Sequence, residues 1–384
     1  MKFFTQLKKS EVKGKTILLR VDLDIHSEDV SQSLRLERAI QSIRYTRNQK
    51  ARVIILAHRG RPVFKNTISN FKFLISNKEK KELSLEPFVK ILEKELKEKV
   101  VFVPDVLNGK DIISQSSYSI FLCENLRFYE GETSNDLAFA KKLAQLGDVY
   151  VNDAFANSHR AHASMSAITR FIPSYAGMEL SREIGILDRI LKKPKHPFVA
   201  ILGGAKVSDK IGLLQWFVRF TDTILTGGGI ANTFLDWCGY EVGKSIRDNL
   251  SSVQMFVKYP SIQIPRDTII ENNKIYDIGS KTIAFYAQEI RRARMIIWNG
   301  PVGLTDVKKF QKGSRALWRA IQSHARSHKD VLVLIGGGET VSFVRKESKK
   351  IPQNIFLSTG GGALLEYMSG KKLPALSALD KNKE

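Results

Sequence analysis

One unit recurs through the second half of the chain. An apolar run rich in β-branched residues closes on Gly-Gly or Asn-Gly, and a helical pattern follows. The instances are FVAILGGAKVSDKI (198–211), TILTGGGIANTFL (223–235), MIIWNGPVG (295–303), VLVLIGGGETVSFV (331–344) and NIFLSTGGGALLEYM (354–368). Strand then helix, repeated, restricts the chain to an α/β fold with a parallel sheet covered on both faces. In such a sheet every one of these turns falls at the carboxyl edge, where ligands bind. Glycine lets backbone approach a ligand closely, and the following helix offers free N–H groups and the positive end of its dipole. One such turn is unremarkable chain reversal. Several converging on one edge point to a phosphate or nucleotide site.

The first half carries the same alternation without the glycines. Candidate strands are Thr16–Val21 (TILLRV), Arg52–Ala57 (RVIILA), Ser119–Cys123 (SIFLC) and Asp148–Val151 (DVYV). Amphipathic stretches lie between them, such as Leu36–Arg47 and Asp136–Leu146, the latter with Asn135 or Asp136 as N-cap. Of 26 glycines, 18 fall between Gly203 and Gly362, so the architecture changes near residues 165–200, where FIPSYAG and KKPKHP break the pattern.

Charge narrows the ligand class. The chain of 384 residues has a net charge of +22, which favours anionic partners. In the first half the basic residues follow strands: His58-Arg59-Gly60-Arg61, Arg127, His159-Arg160-Ala161-His162, with Arg35 opening a helix. Arginine suits bidentate capture of phosphate and carboxylate. Acids interrupt the pattern (Asp22, Asp24, Glu124, Asp153), and aromatics are not interleaved, so a specific nucleic-acid stripe is not expected. No apolar stretch is long enough to span a membrane, and MKFFTQLKKSEVKGK lacks the apolar core of a signal peptide. Two cysteines, Cys123 and Cys238, fit a reducing compartment, hence the cytoplasm.

Other motifs are absent. Gly239–Ser245 (GYEVGKS) has a spacing one residue short of a Walker A loop and follows a helical pattern. There is no G-x-G-x-x-G after a first strand, no H-E-x-x-H and no C-x-x-C pair.

The ordered segments LLRVDLD (18–24), HRGRP (58–62), ENLRFYEGE (124–132), GDVYVNDAFANSHRAHAS (147–164), FVAILGGAKVSDKIG (198–212), GGGIANTFL (227–235), WNGPVG (298–303), GGGET (336–340) and STGGGA (358–363) resemble the phosphoglycerate kinase family over essentially the whole chain. The resemblance implies two doubly wound α/β domains joined by a hinge. Residues 1–172 with 370–384 would bind 3-phosphoglycerate or 1,3-bisphosphoglycerate, and 173–369 would bind MgATP or MgADP. The C-terminal segment, Lys371–Glu384, would return to the first domain.

It further implies an acid-substrate pocket of Asp22, Leu23, Asp24, Arg35, His58, Arg59, Gly60, Arg61, Arg127 and Arg160, with His159 and His162 in its wall. The nucleotide side would comprise Lys206, Lys210, Gly228, Asn299, Asp306, Gly337, Gly338, Glu339 and Thr340, with Glu339 on Mg2+. Arg35, Lys206, Gly337 and Gly361 would act on the moving phosphoryl group. The acceptor is a carboxylate, already ionised, so no general base is needed; alignment and charge cancellation are. A glycolytic, monomeric, hinge-bending enzyme follows from the same resemblance.

The chain departs from the family at Asp24 (usually Asn), Glu339 (usually Asp), Asp306 (usually Glu), Ala156-Asn157 (usually Gly-Thr), Ile275 (usually Gly) and Ser280 (usually Pro). These changes leave Arg35, Arg61, Arg127, Arg160 and Lys206 in place. Use of another nucleotide or acid is one alternative. A non-catalytic binder that uses the basic surface on nucleic acid or anionic membrane is another, and it would bind with a steep salt dependence.

Overall fold

The computed structural model describes residues 1–25, 30, 33–63, 65–66, 73–348 and 350–381. The chain divides into two compact units, Met1–Gly185 with Lys372–Glu384, and Ile186–Lys371. Each is built on a six-stranded parallel sheet.

In the first unit the strand order is Val100–Val103, Ile120–Cys123, Arg52–Leu56, Thr16–Arg20, Val149–Asn152, Ser174–Ala176. The central strands read as near-continuous apolar runs because both faces are covered. Alternation sorts their side chains into two cores. Ile17, Leu19, Val53 and Ile55 join one cluster, and Leu18, Ile54 and Leu56 join the other. Helix Leu34–Asn48 covers the first face with Leu36, Ala39, Ile40 and Ile43; the Ser33 hydroxyl caps it by accepting from the Leu36 N–H at 3.3 Å. Helix Leu137–Ala144 covers the second with Phe139, Ala140 and Leu143. Its cap is Asp136, accepting from the Phe139 N–H at 2.7 Å.

The expected boundary at 172/173 lies at 185/186. The reason is strand pairing: Ser174–Ala176 aligns beside Val149–Asn152 and closes that edge of the first sheet. FIPSYAG, which breaks the pattern by its proline, thus contains an edge strand. The C-terminal helix Pro374–Lys381 returns to the first unit. Ala375 packs with Ala154 and Met165, its N–H donates to the Ser158 carbonyl at 3.2 Å, and the Met1 amine pairs with Asp380 at 2.8 Å. Residues 382–384 lie outside the described residues.

In the second unit the order is Ile262–Gln263, Thr223–Thr226, Phe198–Leu202, Met295–Asn299, Leu332–Gly336, Ile355–Leu357. Every glycine turn follows one of the last five strands, so all five reach one edge. Helices start directly at Gly228, Gly338 and Gly362. After Asn299 the chain instead runs through a loop before helix Lys312–Ser327, longer than the sequence pattern implies. A hairpin of Thr268–Glu271 and Lys274–Ile278 lies apart from the main sheet. Among the described residues no helix is long and apolar enough to cross a membrane.

Candidate active site

At the carboxyl edge of the first sheet, Arg35 is held from two sides. Its Nε lies 3.1 Å from Asp22 Oδ2, and its Nη1 donates to the Asp24 carbonyl at 2.7 Å. Asp24 is in turn fixed: its Oδ1 accepts from the Gly60 N–H at 2.8 Å, and its Oδ2 lies 3.7 Å from His58 Nε2 and 4.0 Å from Arg35 Nη1. Burial pushes its pKa up, but His58, the Gly60 N–H and Arg35 outweigh burial and hold the carboxyl well below the usual range. Asp24 therefore stands ionised and paired, which removes much of the repulsion a carboxylate there would exert on an anion.

The remaining basic residues divide into free and committed groups. Arg61 is exposed. Arg127 is buried and donates to the Gly60 carbonyl, shaping the HRGRP turn. Arg160 donates from Nε to His159 Nε2 at 3.2 Å, while its buried Nη1 has no hydrogen-bond partner. Burial, then Arg61, lowers the Arg160 pKa, so a bound anion would relieve a real electrostatic cost. Burial and four neighbouring basic groups, Arg20 first, hold His162 down at about 4, so it is neutral at physiological pH.

Two expected contacts are turned inward. The Leu23 side chain is fully buried in the core cluster. The Arg59 guanidinium donates to the carbonyls of Ile25 at 3.0 Å and Ser84 at 3.3 Å and lies over the Phe88 ring. The fold uses these two side chains for packing, and the Arg59 backbone is tied to the buried Asn125 side chain, which accepts from its N–H at 3.2 Å and donates to its carbonyl at 2.7 Å.

The second unit offers mostly backbone. Its glycines are of two kinds. A Cβ at Gly203 would stand 2.0 Å from the Pro301 carbonyl oxygen, and one at Gly300 would stand 2.2 Å from the Gly203 oxygen. These turns need glycine because they pack on one another: Gly203 N–H donates to Asn299 O at 3.0 Å, Gly204 to Pro301 O at 3.1 Å, and Gly228 to Val302 O at 3.0 Å. At Gly338 and Gly361 a Cβ would meet nothing within 4 Å, and at Gly337 nothing closer than 3.6 Å. Gly337 needs glycine for its backbone, at φ +89, whereas steric packing does not explain Gly338 and Gly361.

Lys210 Nζ donates to the carbonyls of Gly203 at 2.5 Å and Asn299 at 3.1 Å. Burial pushes its pKa down to about 8, against the opposing charge of Glu339. Glu339 is exposed on the first turn of helix Gly338–Glu347. Thr340 is buried and its hydroxyl accepts from the Gly300 N–H at 2.9 Å, so it ties two glycine turns together. Lys206 and Asp306 are exposed. Ser245, the end of the rejected Walker-like segment, is buried and bonded to Val242 and Ile275. Among the described residues no three His, Cys, Asp or Glu side chains form a metal cluster.

A family model described as phosphoglycerate kinase matches residues 7–371. The chain belongs to the phosphoglycerate kinase family. It is similar to the phosphoglycerate kinase of Legionella pneumophila strain Paris, 38% identical over 401 residues covering 97% of this chain and 96% of that protein. It is also similar to that of Dictyoglomus turgidum, 35% identical over 409 residues and 98% of each chain. The structure of phosphoglycerate kinase from Coxiella burnetii superimposes with a TM-score of 0.80 at 34% identity, over 99% of both chains. The reaction is accordingly the family's reversible phosphoryl transfer from 1,3-bisphosphoglycerate to ADP, giving 3-phosphoglycerate and ATP, a step of glycolysis.

A buried polar layer lies beneath the phosphoglycerate kinase motif residues of the first unit, and it is itself drawn from the motif segments. Arg20 is fully buried at the end of its strand, with Ser164, Glu132 and His58 around it. Sequence reading passed over it inside LLRVDLD. The available signal was an arginine in an otherwise apolar strand, a position that demands buried partners.

Proposed function

We propose that the edge of the first unit binds the acid substrate and the glycine turns of the second bind the nucleotide. Asp22 and Asp24 orient Arg35, which meets the transferring phosphoryl group together with Lys206. Arg61, Arg127, Arg160 and His58 take the phosphate and carboxylate of 3-phosphoglycerate, with the backbone of Leu23, Arg59 and Gly60 completing the wall. The observation that carries this reading is the buried, unpartnered Nη1 of Arg160, which feels the charges of Arg61 and Arg20 and of Asp22 and Asp24 at one sheet edge. A buried guanidinium N–H without an acceptor is costly unless an anion comes to it.

On the nucleotide side, the backbone N–H groups at Gly337, Gly338 and Gly361 receive phosphate oxygens at two helix starts. Lys210 and Thr340 hold the turns in register, Asn299 and Gly228 line them, and Asp306 takes the ribose. Glu339 fits Mg2+: it is a hard, exposed carboxylate on the turn, and with no protein cluster beside it the ion would be shared with phosphate oxygens. Bound there, Mg2+ would offset charge on the phosphates. The nucleophile in the direction of 1,3-bisphosphoglycerate synthesis is the substrate's own carboxylate, so Arg35 and Lys206 act by alignment and charge, and no side chain removes a proton. We assign the chain to the cytoplasm as a monomer; both cysteines are unpaired, in keeping with a reducing compartment.

Calorimetric titration of the intact chain tests the division. Arg160→Ala should weaken 3-phosphoglycerate binding at least about tenfold and leave MgADP binding unchanged. Equal loss of both ligands would overturn the assignment.

A further inference from the structure

The layer beneath the pocket contains a chain of hydrogen bonds whose direction is fixed. Arg20 Nη2 lies 2.8 Å from His58 Nδ1, Arg20 Nε donates to Ser164 Oγ at 3.0 Å, and Nη1 donates to the Val21 carbonyl. Every guanidinium nitrogen is a donor and none can accept. His58 Nδ1 must then be the acceptor, and the imidazole proton sits on Nε2. Ser164 Oγ accepts from Arg20, so its single proton goes to Glu132 Oε1 at 2.6 Å, while the Ser164 N–H donates to Glu132 Oε2 at 2.9 Å. Both oxygens of Glu132 accept. Burial pushes the Glu132 pKa up, and the Arg20 charge and the two Ser164 bonds oppose it. The net direction is upward, and Arg20 and Glu132 are coupled through one buried serine.

The far end of this chain is His58 Nε2. It is a buried atom with no hydrogen-bond partner, 3.7 Å from Asp24 Oδ2, too long for a bond. We propose that Arg20 is a positioning residue for the acid substrate: it locks His58 as the neutral Nε2–H tautomer and so presents one hydrogen-bond donor to the pocket. The other tautomer would set an imidazole N–H against a guanidinium N–H and turn a lone pair toward the Asp24 carboxylate. An imidazolium would keep the first clash. The charged and titratable groups facing His58 are Arg20, Asp22, Asp24 and His162. Burial, followed by the Arg20 charge, holds its pKa below the ordinary value against the pull of the two carboxylates. The matching ligand atom is an oxygen lone pair, such as a carboxylate or hydroxyl of a phosphorylated hydroxy acid. That last step rests on the pocket assignment above; the tautomer does not.

Nitrogen-15 NMR of the histidine-labelled full chain reads the tautomer directly, with His58→Gln locating the signal among seven histidines. At pH about 7 His58 should show a protonated Nε2 and a lone-pair Nδ1. A protonated Nδ1, or an imidazolium, overturns the proposal, and this arm needs no variant at Arg20. In Arg20→Met the signal should move toward a tautomer mixture, and KM for 3-phosphoglycerate should rise about tenfold with KM for MgATP unchanged. Arg20→Lys, which keeps a donor, should recover part of both. An unchanged tautomer in Arg20→Met removes the positioning role. A changed tautomer with unchanged KM contradicts the donor's use by the substrate and places the failure in the pocket assignment.

Discussion

The two units share one architecture and differ in what they set at the carboxyl edge of the sheet. The first sets charged side chains at its sheet edge and ties them down with a buried polar layer. The second sets almost no free charge there and uses backbone. On the proposed assignment, the difference follows from the ligands. A small acid carries two anionic groups of defined shape, and planar guanidinium forks discriminate shape. A polyphosphate is a flexible row of oxygens, which N–H groups at helix starts can follow. Fixing arginines demands buried carboxylates such as Asp22 and Glu132. Exposing backbone demands glycine where turns stack, as at Gly203 and Gly300, and where φ is positive, as at Gly337.

The largest expected effect lies at Lys206, an exposed cation in the unit that otherwise offers mostly backbone. Lys206→Ala should lower kcat by about 10²–10³-fold while KM for 3-phosphoglycerate stays within about twofold, measured by steady-state kinetics. An equal rise in KM would place Lys206 with the acid and break the division. Next comes the contrast among glycines. Gly203→Ala drives a Cβ to 2.0 Å from a carbonyl oxygen, and urea unfolding should show a loss of about 1–3 kcal/mol. Gly361→Ala meets open space at a negative φ, so stability should hold or improve slightly while KM for MgATP rises. If both lose stability alike, the two kinds of glycine are one.

A smaller effect compares a buried carboxyl in each unit. Asp153 accepts from the Leu180 N–H at 2.8 Å near the start of helix Met178–Lys192, and burial pushes its pKa up to about 7. Asp277 accepts from the Gly313 N–H at 2.7 Å near the start of helix Lys312–Ser327, and burial pushes it up to about 6. The folded pKa exceeds the ordinary 3.8 in both, so the native state favours the protonated form. The stability this supplies is full below about pH 4 and is lost as pH rises through the folded value. Asp153→Asn should therefore gain stability relative to the parent from pH 4 to 7, and Asp277→Asn from pH 4 to 6 by a smaller amount, measured by urea unfolding across pH. A reversed order would show that the first unit's polar layer is not the more desolvated.

The fold was legible where strands are apolar on both faces. TILLRV, RVIILA, SIFLC and DVYV each match an observed strand to within one residue at either end. Val100–Val103 was missed because it follows a lysine-rich helix without punctuation and runs on into a proline. Ser174–Ala176 was missed because three residues beside a proline carry little periodic signal, and its loss moved the domain boundary. The hairpin at residues 268–278 is largely half-exposed, with only Asp277 and Ile278 buried, so it carries no alternating pattern to read. Site residues were legible as motifs, yet their roles were not. Only coordinates separate Arg160, with a buried free donor, from Arg59, turned onto its own scaffold. The Arg20–Ser164–Glu132 chain joins residues 144 and 32 positions apart, beyond any local pattern.

Asp24, Glu339 and Asp306 depart from the expected family pattern at both proposed ligand edges, yet the structure pairs Asp24 and leaves Glu339 exposed on its turn. Turnover decides whether these departures spare the chemistry. With saturating 3-phosphoglycerate and MgATP, ADP formation should be saturable in and dependent on 3-phosphoglycerate. No 3-phosphoglycerate-dependent ADP at saturation of both ligands would contradict the assignment of these two edges to one phosphoryl transfer.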